Sequence, residues 1–305
     1  MNLSNKNELI SVCICTFKRE KLLRRAIESI IYQKNIKNFK IELVIVDNDK
    51  NRSGEKIVKQ FASNTDKNIY YYCENIQNIS MARNRAICSA NGNYIAFIDD
   101  DEFATPTWLN TIYYCLKTYN AHVVLGPVLP DYPDATPKWL IESRLCERNR
   151  RNTGKAITNK DMRTGNIIFK KEIFDQNSKW FDFNRGLTGG EDVEFLERLI
   201  GLNKKIIWCD EAVVYERISD DRLNLTYYLQ RHYRIGTISG TTKFNINKFI
   251  QIMKSLVLIC LYTTIFPFTL FVGKHRFAIV LSKIYYFFGF ISSSLNLNHP
   301  LNRVS

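Results

Sequence analysis

The chain has 305 residues, a 45% apolar share and a formal net charge of +13. That length suits one large domain, or a domain with an appendage, and the apolar share excludes a disordered chain. The basic balance calls for an anionic partner such as a nucleotide, a phospholipid surface, an anionic glycan or a nucleic acid. No helix-turn-helix, zinc finger or RNP aromatic motif is present to make a nucleic-acid module.

Up to residue 125 the pattern alternates between strand and helix. Residues 10–15 form an apolar run that predicts a buried strand. Residues 20–33 place Leu22, Leu23, Ala26, Ile27, Ile30 and Ile31 at helical spacing. A second strand over 41–46 ends in Asp47-Asn48-Asp49, and a short helix follows over 54–62. The next elements are a strand over 69–73, a helix over 80–90, a strand over 94–98, a helix over 108–119 and a strand over 122–125. Alternation of this kind predicts a mostly parallel sheet with helices on both faces. Ligands of such sheets bind beyond the carboxyl ends of the strands. Three predicted strand ends carry polar residues there: 16–20, 47–49 and 99–102.

From 127 to 163 regularity is lost. Pro130, Pro133 and Pro137 interrupt it, and Arg144, Arg148, Arg150, Arg151 and Lys155 make the stretch basic, so an irregular cover over the site is expected. A strand over 166–169 follows, then the turn Gly189-Gly190 and a helix bearing Val193, Phe195, Leu196, Leu199 and Ile200. Short strands are expected at 205–208 and 212–214, and a helix at 225–236 bearing Arg231 and Arg234.

The last 60 residues differ. Residues 255–273 carry no charge, and 277–295 carry only Lys283. Each is long enough to cross a membrane, yet Lys274, His275 and Arg276 lie between them, and a two-span hairpin would put those cations on the far side. Pro267 interrupts the first segment. The expectation is two helices lying in, or dipping into, the cytoplasmic leaflet, peripheral or monotopic, with Lys243, Lys248 and Lys254 toward anionic headgroups. The competing reading is a soluble helical cap. The domain reading is therefore 1–245 for the α/β domain and 246–305 for an apolar, membrane-associating helical region.

Eight cysteines are scattered without a C-x-x-C pair. A structural zinc is not expected, and free thiols suit a reducing compartment. Residues 1–8 are polar and lack the apolar core of a signal peptide, so the α/β domain is expected on the cytoplasmic side.

The run Tyr94-Ile95-Ala96-Phe97-Ile98-Asp99-Asp100-Asp101-Glu102 carries the chemistry. Four successive carboxylates at the end of a core strand repel one another unless a positive charge arrives. A hard divalent cation shared with substrate phosphates supplies it. A solvated acidic turn is the plain alternative.

Six motifs appear in one order: Ser11-Val12-Cys13-Ile14-Cys15-Thr16-Phe17-Lys18-Arg19; Val46-Asp47-Asn48; Met81-Ala82-Arg83-Asn84-Arg85; Phe97-Ile98-Asp99-Asp100-Asp101-Glu102; Thr164-Gly165-Asn166; and Gly189-Gly190-Glu191-Asp192. Over roughly 10–236 the chain resembles the family 2 glycosyltransferases, in particular bacterial enzymes that build surface polysaccharide. The resemblance implies a GT-A fold, Rossmann-like with a mostly parallel sheet and flanking helices, here with a C-terminal apolar helical region. It implies an inverting enzyme that moves one sugar from a nucleotide sugar, commonly a UDP-sugar, to a hydroxyl of a lipid-linked glycan at the inner face of a bacterial membrane. Mn2+ or Mg2+ is the implied cofactor, with Asp101 and Asp99 as metal contacts and Glu216 in the place of a metal-binding His. Thr16, Arg19, Asp47, Arg83, Asn84, Asp99 and Asp100 are the implied donor contacts. Asp192 is the implied general base, with Glu191 as acceptor contact or alternative base. An ion pair between Glu216 and Arg217 is the competing role for Glu216. Gln230-Arg231-His232-Tyr233-Arg234 lacks the Q-x-x-R-W of processive synthases, which favours single addition. None of the four histidines lies in a motif.

Two other readings compete. A sugar nucleotidyltransferase also uses strand-end acids and a metal, but Thr16-Phe17-Lys18-Arg19 has no glycine for a phosphate loop. A membrane-bound binding module with a degenerate site would not need Asp99, Asp101 and Asp192 intact.

Overall fold

The structure is a computed structural model that describes residues 8–158, 161–174, 180–187, 189–240 and 246–297. Lys243 lies outside them. The chain divides into two compact units, Met1–Leu129 with Arg148–Glu216, and Pro130–Glu147 with Arg217–Ser305.

The first unit is built on a seven-stranded sheet. Its strands are β1 (Glu8–Thr16), β2 (Phe39–Asp47), β3 (Asn68–Cys73), β4 (Tyr94–Phe97), β6 (Val123–Leu125), β8 (Ile167–Lys170) and β9 (Ile206–Trp208), in the order β3-β2-β1-β4-β8-β6-β9. β1 pairs in parallel with β2 and β4, β2 with β3, and β6 with β9. Only β8 among these seven runs against its neighbours, β4 and β6. The expectation of a mostly parallel sheet holds.

Period-2 alternation divides each central strand between two apolar layers. Ile10, Val12 and Ile14 of β1 with Leu43 and Ile45 of β2 face α1 (Glu20–Ile31), α2 (Glu55–Ser63) and α4 (Trp108–Thr118). Cys13, Val44, Val46, Ile95 and Phe97 face α3 (Ile79–Ser89) and α6 (Glu191–Gly201). These strands are apolar on both sides because both faces are covered.

Three short elements were not expected. β5 (Glu102–Ala104) starts inside the acid run, and β7 (Val128–Asp131) and α5 (Lys138–Ser143) lie in the stretch read as irregular. β5 joins β10 (Val214–Arg217) and β7 in a three-stranded sheet of order β5-β10-β7.

The second unit contains α5, α7 (Leu225–Gly240), α8 (Ile246–Val272) and α9 (Lys274–Ser294). Leu140, Cys146, Ile218 and Tyr228 form its small buried cluster. α7 and α9 touch along glycines. A Cβ at Gly236 would fall 2.0 Å from the Tyr286 carbonyl oxygen, and one at Gly289 would fall 2.1 Å from that of Tyr233. α8 continues through Pro267, where a break was expected. Lys248, expected at the headgroups, is buried, whereas Lys254 is exposed.

Candidate active site

The site forms where β1 and β4 end and α3 and α6 begin. β4 stops at Phe97, and the chain turns through Asp99–Asp101 into β5. Glu102 Oε2 accepts the Asp99 N–H at 3.1 Å and so closes that turn. Asp100 points back at β1, accepting from Thr16 Oγ1 at 2.9 Å and from Arg19 Nη1 at 3.1 Å. The same Arg19 nitrogen lies 3.2 Å from Asp101 Oδ2. Burial pushes the Asp100 carboxyl up, against the pull of Arg19 and Thr16.

Glu102 is the most strained charge here. It is 2% exposed, and burial, then Asp99, Asp101 and Glu216, raise its carboxyl well above the usual range. Glu216 on β10 stands directly opposite Glu102 on β5. Arg148 Nη2 meets Glu216 Oε2 at 3.2 Å. The alternative pair with Arg217 does not form, because Arg217 bonds Asp131 at 3.1 Å.

Gly165 explains the Thr-Gly-Asn motif. A Cβ there would lie 2.4 Å from Glu102 Oε1 and 3.0 Å from Asp99 Oδ2, so only glycine lets this loop approach the acids. Asn166 is fully buried and holds three segments together. It accepts from Trp108 Nε1 at 2.7 Å and donates to the carbonyls of Pro127 and Ala212, both at 2.7 Å.

Arg83 connects the acid run to α6. It is 4% exposed, with Nη1 2.5 Å from Glu191 Oε1 and Nη2 3.8 Å from Asp99 Oδ1. Burial would weaken its charge, but Glu191, Asp99 and Asp192 outweigh burial and hold the guanidinium above its ordinary value. Glu191 and Asp192 open α6 after Gly190, whose φ of 86° suits glycine. The helix dipole favours ionised carboxylates in that first turn. Glu191 is buried and Asp192 is half-buried.

α3 and its N-cap Asn78 also set this geometry. Asn78 Nδ2 donates to Phe183 O at 3.0 Å, Ser80 Oγ to Asp182 O at 2.8 Å, and Asn84 exchanges two bonds with the backbone of Phe181. These bonds fasten the segment that leads into the Gly189-Gly190 turn.

The structure thus brings together Thr16, Arg19, Arg83, Asp99, Asp100, Asp101, Glu191, Asp192 and Glu216. Two implied donor contacts are engaged elsewhere. Asp47 is fully buried and accepts from Asp49 N at 3.0 Å, Gly54 N at 2.7 Å and Tyr71 OH at 2.9 Å. Asn84 is occupied by Phe181 as described. Sequence reading also missed Arg148 as the partner of Glu216, for which only its place in a basic stretch gave a signal.

Among the described residues no three His, Cys, Asp or Glu side chains stand as a ready cation cage. The donor chemistry nevertheless fits a hard divalent ion. Asp99, Asp101, Glu102 and Glu216 offer only oxygen, and the raised Glu102 carboxyl marks an excess of negative charge that a cation relieves.

A sheet of this order, with an acid run at the end of β4 and a carboxylate-bearing helix start beside it, defines a GT-A fold enzyme of the glycosyltransferase class. The mannosyltransferase PcManGT of Pyrobaculum calidifontis, solved with GDP-Man and Mn2+, superposes with a TM-score of 0.67 at 14% identity, over 96% of this chain and 89% of that one. TarS 1-349 of S. aureus with UDP-GlcNAc gives a TM-score of 0.56 at 15% identity, over 94% and 91%. The sequence profile of glycosyl transferase family 2 matches residues 11–177, and the chain belongs to that family. Among curated relatives, the succinoglycan biosynthesis protein ExoM of Rhizobium meliloti is 26% identical over 242 residues, 78% of this chain and 76% of ExoM.

Proposed function

We propose that this glycosyltransferase is an inverting, metal-dependent enzyme. It transfers one sugar from a nucleotide sugar to a hydroxyl of a lipid-linked glycan, in the synthesis of cell-surface polysaccharide. The observation that carries the reading is Arg83, one buried guanidinium that joins the α6 carboxylates to the acid run. It fixes an acceptor-side carboxylate next to the place where a diphosphate leaves. The similarity to ExoM supports the polysaccharide role, and UDP is the donor nucleotide proposed, as in the ligand named for TarS.

In this reading Asp192 is the general base, and half-exposure leaves it open to a sugar hydroxyl. The acceptor oxygen bonds the anomeric carbon, the bond from that carbon to the diphosphate oxygen breaks, and the hydroxyl proton passes to Asp192. Glu191, buried against Arg83, holds the helix start in place. Asp99, Asp101 and Glu216 would hold Mn2+ or Mg2+, whose charge would neutralise the leaving diphosphate. Thr16 and Arg19 brace the acid run through Asp100, and Arg19 and Arg83 offer charge to the diphosphate. Asp47 and Asn84 serve as frame.

The apolar region 246–305 is proposed to hold the enzyme on the cytoplasmic side of the inner membrane. Asn247–Val272 and Lys274–Ser294 are long and apolar enough to meet a bilayer. The test is a transfer assay over a panel of nucleotide sugars with Mn2+ and a lipid-linked acceptor, with the product's anomeric configuration read by NMR. Asp192→Asn is expected to lose transfer while keeping donor affinity, and Asp101→Ala to lose both. Full transfer by either variant, or retention at the anomeric carbon, overturns the assignment.

A further inference from the structure

α8 is polar on the inside and apolar on the outside. Lys248, Ile252, Ser255 and Thr269 are buried, and three of these four are polar. The opposite side exposes Ile250, Met253, Val257, Leu261, Ile265, Phe268 and Phe271, with Phe271 90% exposed. These residues recur every three or four positions and so share one stripe. A helix facing water has the reverse polarity. At 1.5 Å per residue the stripe runs for about 30 Å.

The α8–α9 turn decides how that stripe can meet lipid. The Lys274 ammonium lies 5.5 Å from the Trp139 ring centroid, and His275 Nδ1 lies 3.4 Å from Glu142 Oε2. Both partners are on α5. Residues 132–137 and 144–150 connect α5 to the chain on either side, and neither is a regular helix or strand. They carry Asp134, Arg144, Glu147, Arg148 and Arg150. Such segments cannot cross hydrocarbon, where their backbone groups and charges would go unpaired. α5 therefore stays on the side of the membrane where those neighbouring residues are, and the turn stays with α5. A two-span hairpin requires the turn on the opposite side. α7 supplies no compensating span, because it carries Arg231, His232 and Arg234 near its middle.

We infer that α8 and α9 enter and leave one leaflet. α8 lies in the membrane plane with the Ile250–Phe271 stripe among the acyl chains, and exposed Lys254, Arg276 and Lys283 reach anionic phospholipid headgroups. This rests on the membrane reading above and adds the face, the orientation and the sidedness of the turn.

The full-length chain tests it, in a background where the exposed Cys88 and Cys260 are replaced by Ser. Arg276→Cys is expected to react with an impermeant maleimide in inside-out vesicles and not in intact spheroplasts. Labelling from outside the spheroplast overturns the one-leaflet arrangement and leaves membrane association standing. In co-sedimentation with phosphatidylglycerol-containing vesicles, Val257→Glu with Leu261→Glu is expected to weaken binding at least tenfold, while donor binding is unchanged. Wild-type binding by that double variant refutes the stripe. Absence of the wild-type protein from both membranes and vesicles refutes the membrane reading itself.

Discussion

Replacing Arg83 by Met removes the charge that reaches both Glu191 and Asp99. Glu191 is 2% exposed, so the substitution leaves a carboxylate in the interior without its 2.5 Å guanidinium partner. Breaking a buried pair from one side costs about 3–5 kcal/mol. For a chain of this size each kcal/mol lowers Tm by roughly 2–4 °C, so a fall of about 10 °C is expected. Glu191→Leu should cost less, because Arg83 keeps Asp99 at 3.8 Å and the field of Asp192. Arg83→Met with Glu191→Leu should recover much of the loss, since apolar replacement of both partners removes the stranded charge. Thermal melts followed by intrinsic fluorescence read all four proteins of the cycle. A Tm for Arg83→Met within 2 °C of wild type, or a double variant below Arg83→Met, refutes the buried-pair argument. Turnover should be absent from all three variants regardless of Tm.

Gly165→Ala places a methyl against Glu102 and Asp99, so Mn2+ affinity measured by titration calorimetry should fall at least tenfold, at a cost of about 1–3 kcal/mol to the fold; unaltered affinity counts against the acid run as the metal site. Gly289→Ala drives a Cβ into the Tyr233 carbonyl and should separate α7 from α9 at a cost of about 1–3 kcal/mol or more, seen as a lower Tm in detergent. Asp161 is held below the usual carboxylate range: burial alone would raise it, but Thr158 and Arg151 prevail. A depressed carboxyl stabilises the fold above its unfolded value and loses that contribution as pH falls through its folded value. The Tm gap between wild type and Asp161→Asn should therefore be widest near neutrality and close below about pH 4; a gap independent of pH rejects the mechanism.

What could be read from the chain alone follows the range of the forces involved. β1 to β4 and their helices were legible because apolar spacing is local, and Ile10, Val12 and Ile14 reveal their strand without reference to anything distant. β5 was not, since three residues beginning with an acid become a strand only by pairing with β10, more than 100 residues later. The juxtaposition of Glu102 and Glu216 was hidden for the same reason. The reversed direction of β8 leaves no mark in its own sequence. The motifs located the site but not the aim of each side chain. The bonds of Asp47 to Gly54 and Tyr71, and of Asn84 to Phe181, join parts of the chain that no motif relates. In α8 composition disclosed an apolar helix, while the inward turn of Lys248, Ser255 and Thr269 depends on what lies beside it.

Asp47, Asn84 and Asn166 have a consequence for mutational mapping. Each spends polar atoms on neighbouring backbone or on a partner side chain, and so joins separate stretches of the chain. Alanine scanning scored by turnover alone would not separate a lost brace from a lost substrate contact at any of the three. Separating the joinery from the working edge requires scoring ligand affinity and thermal resistance side by side.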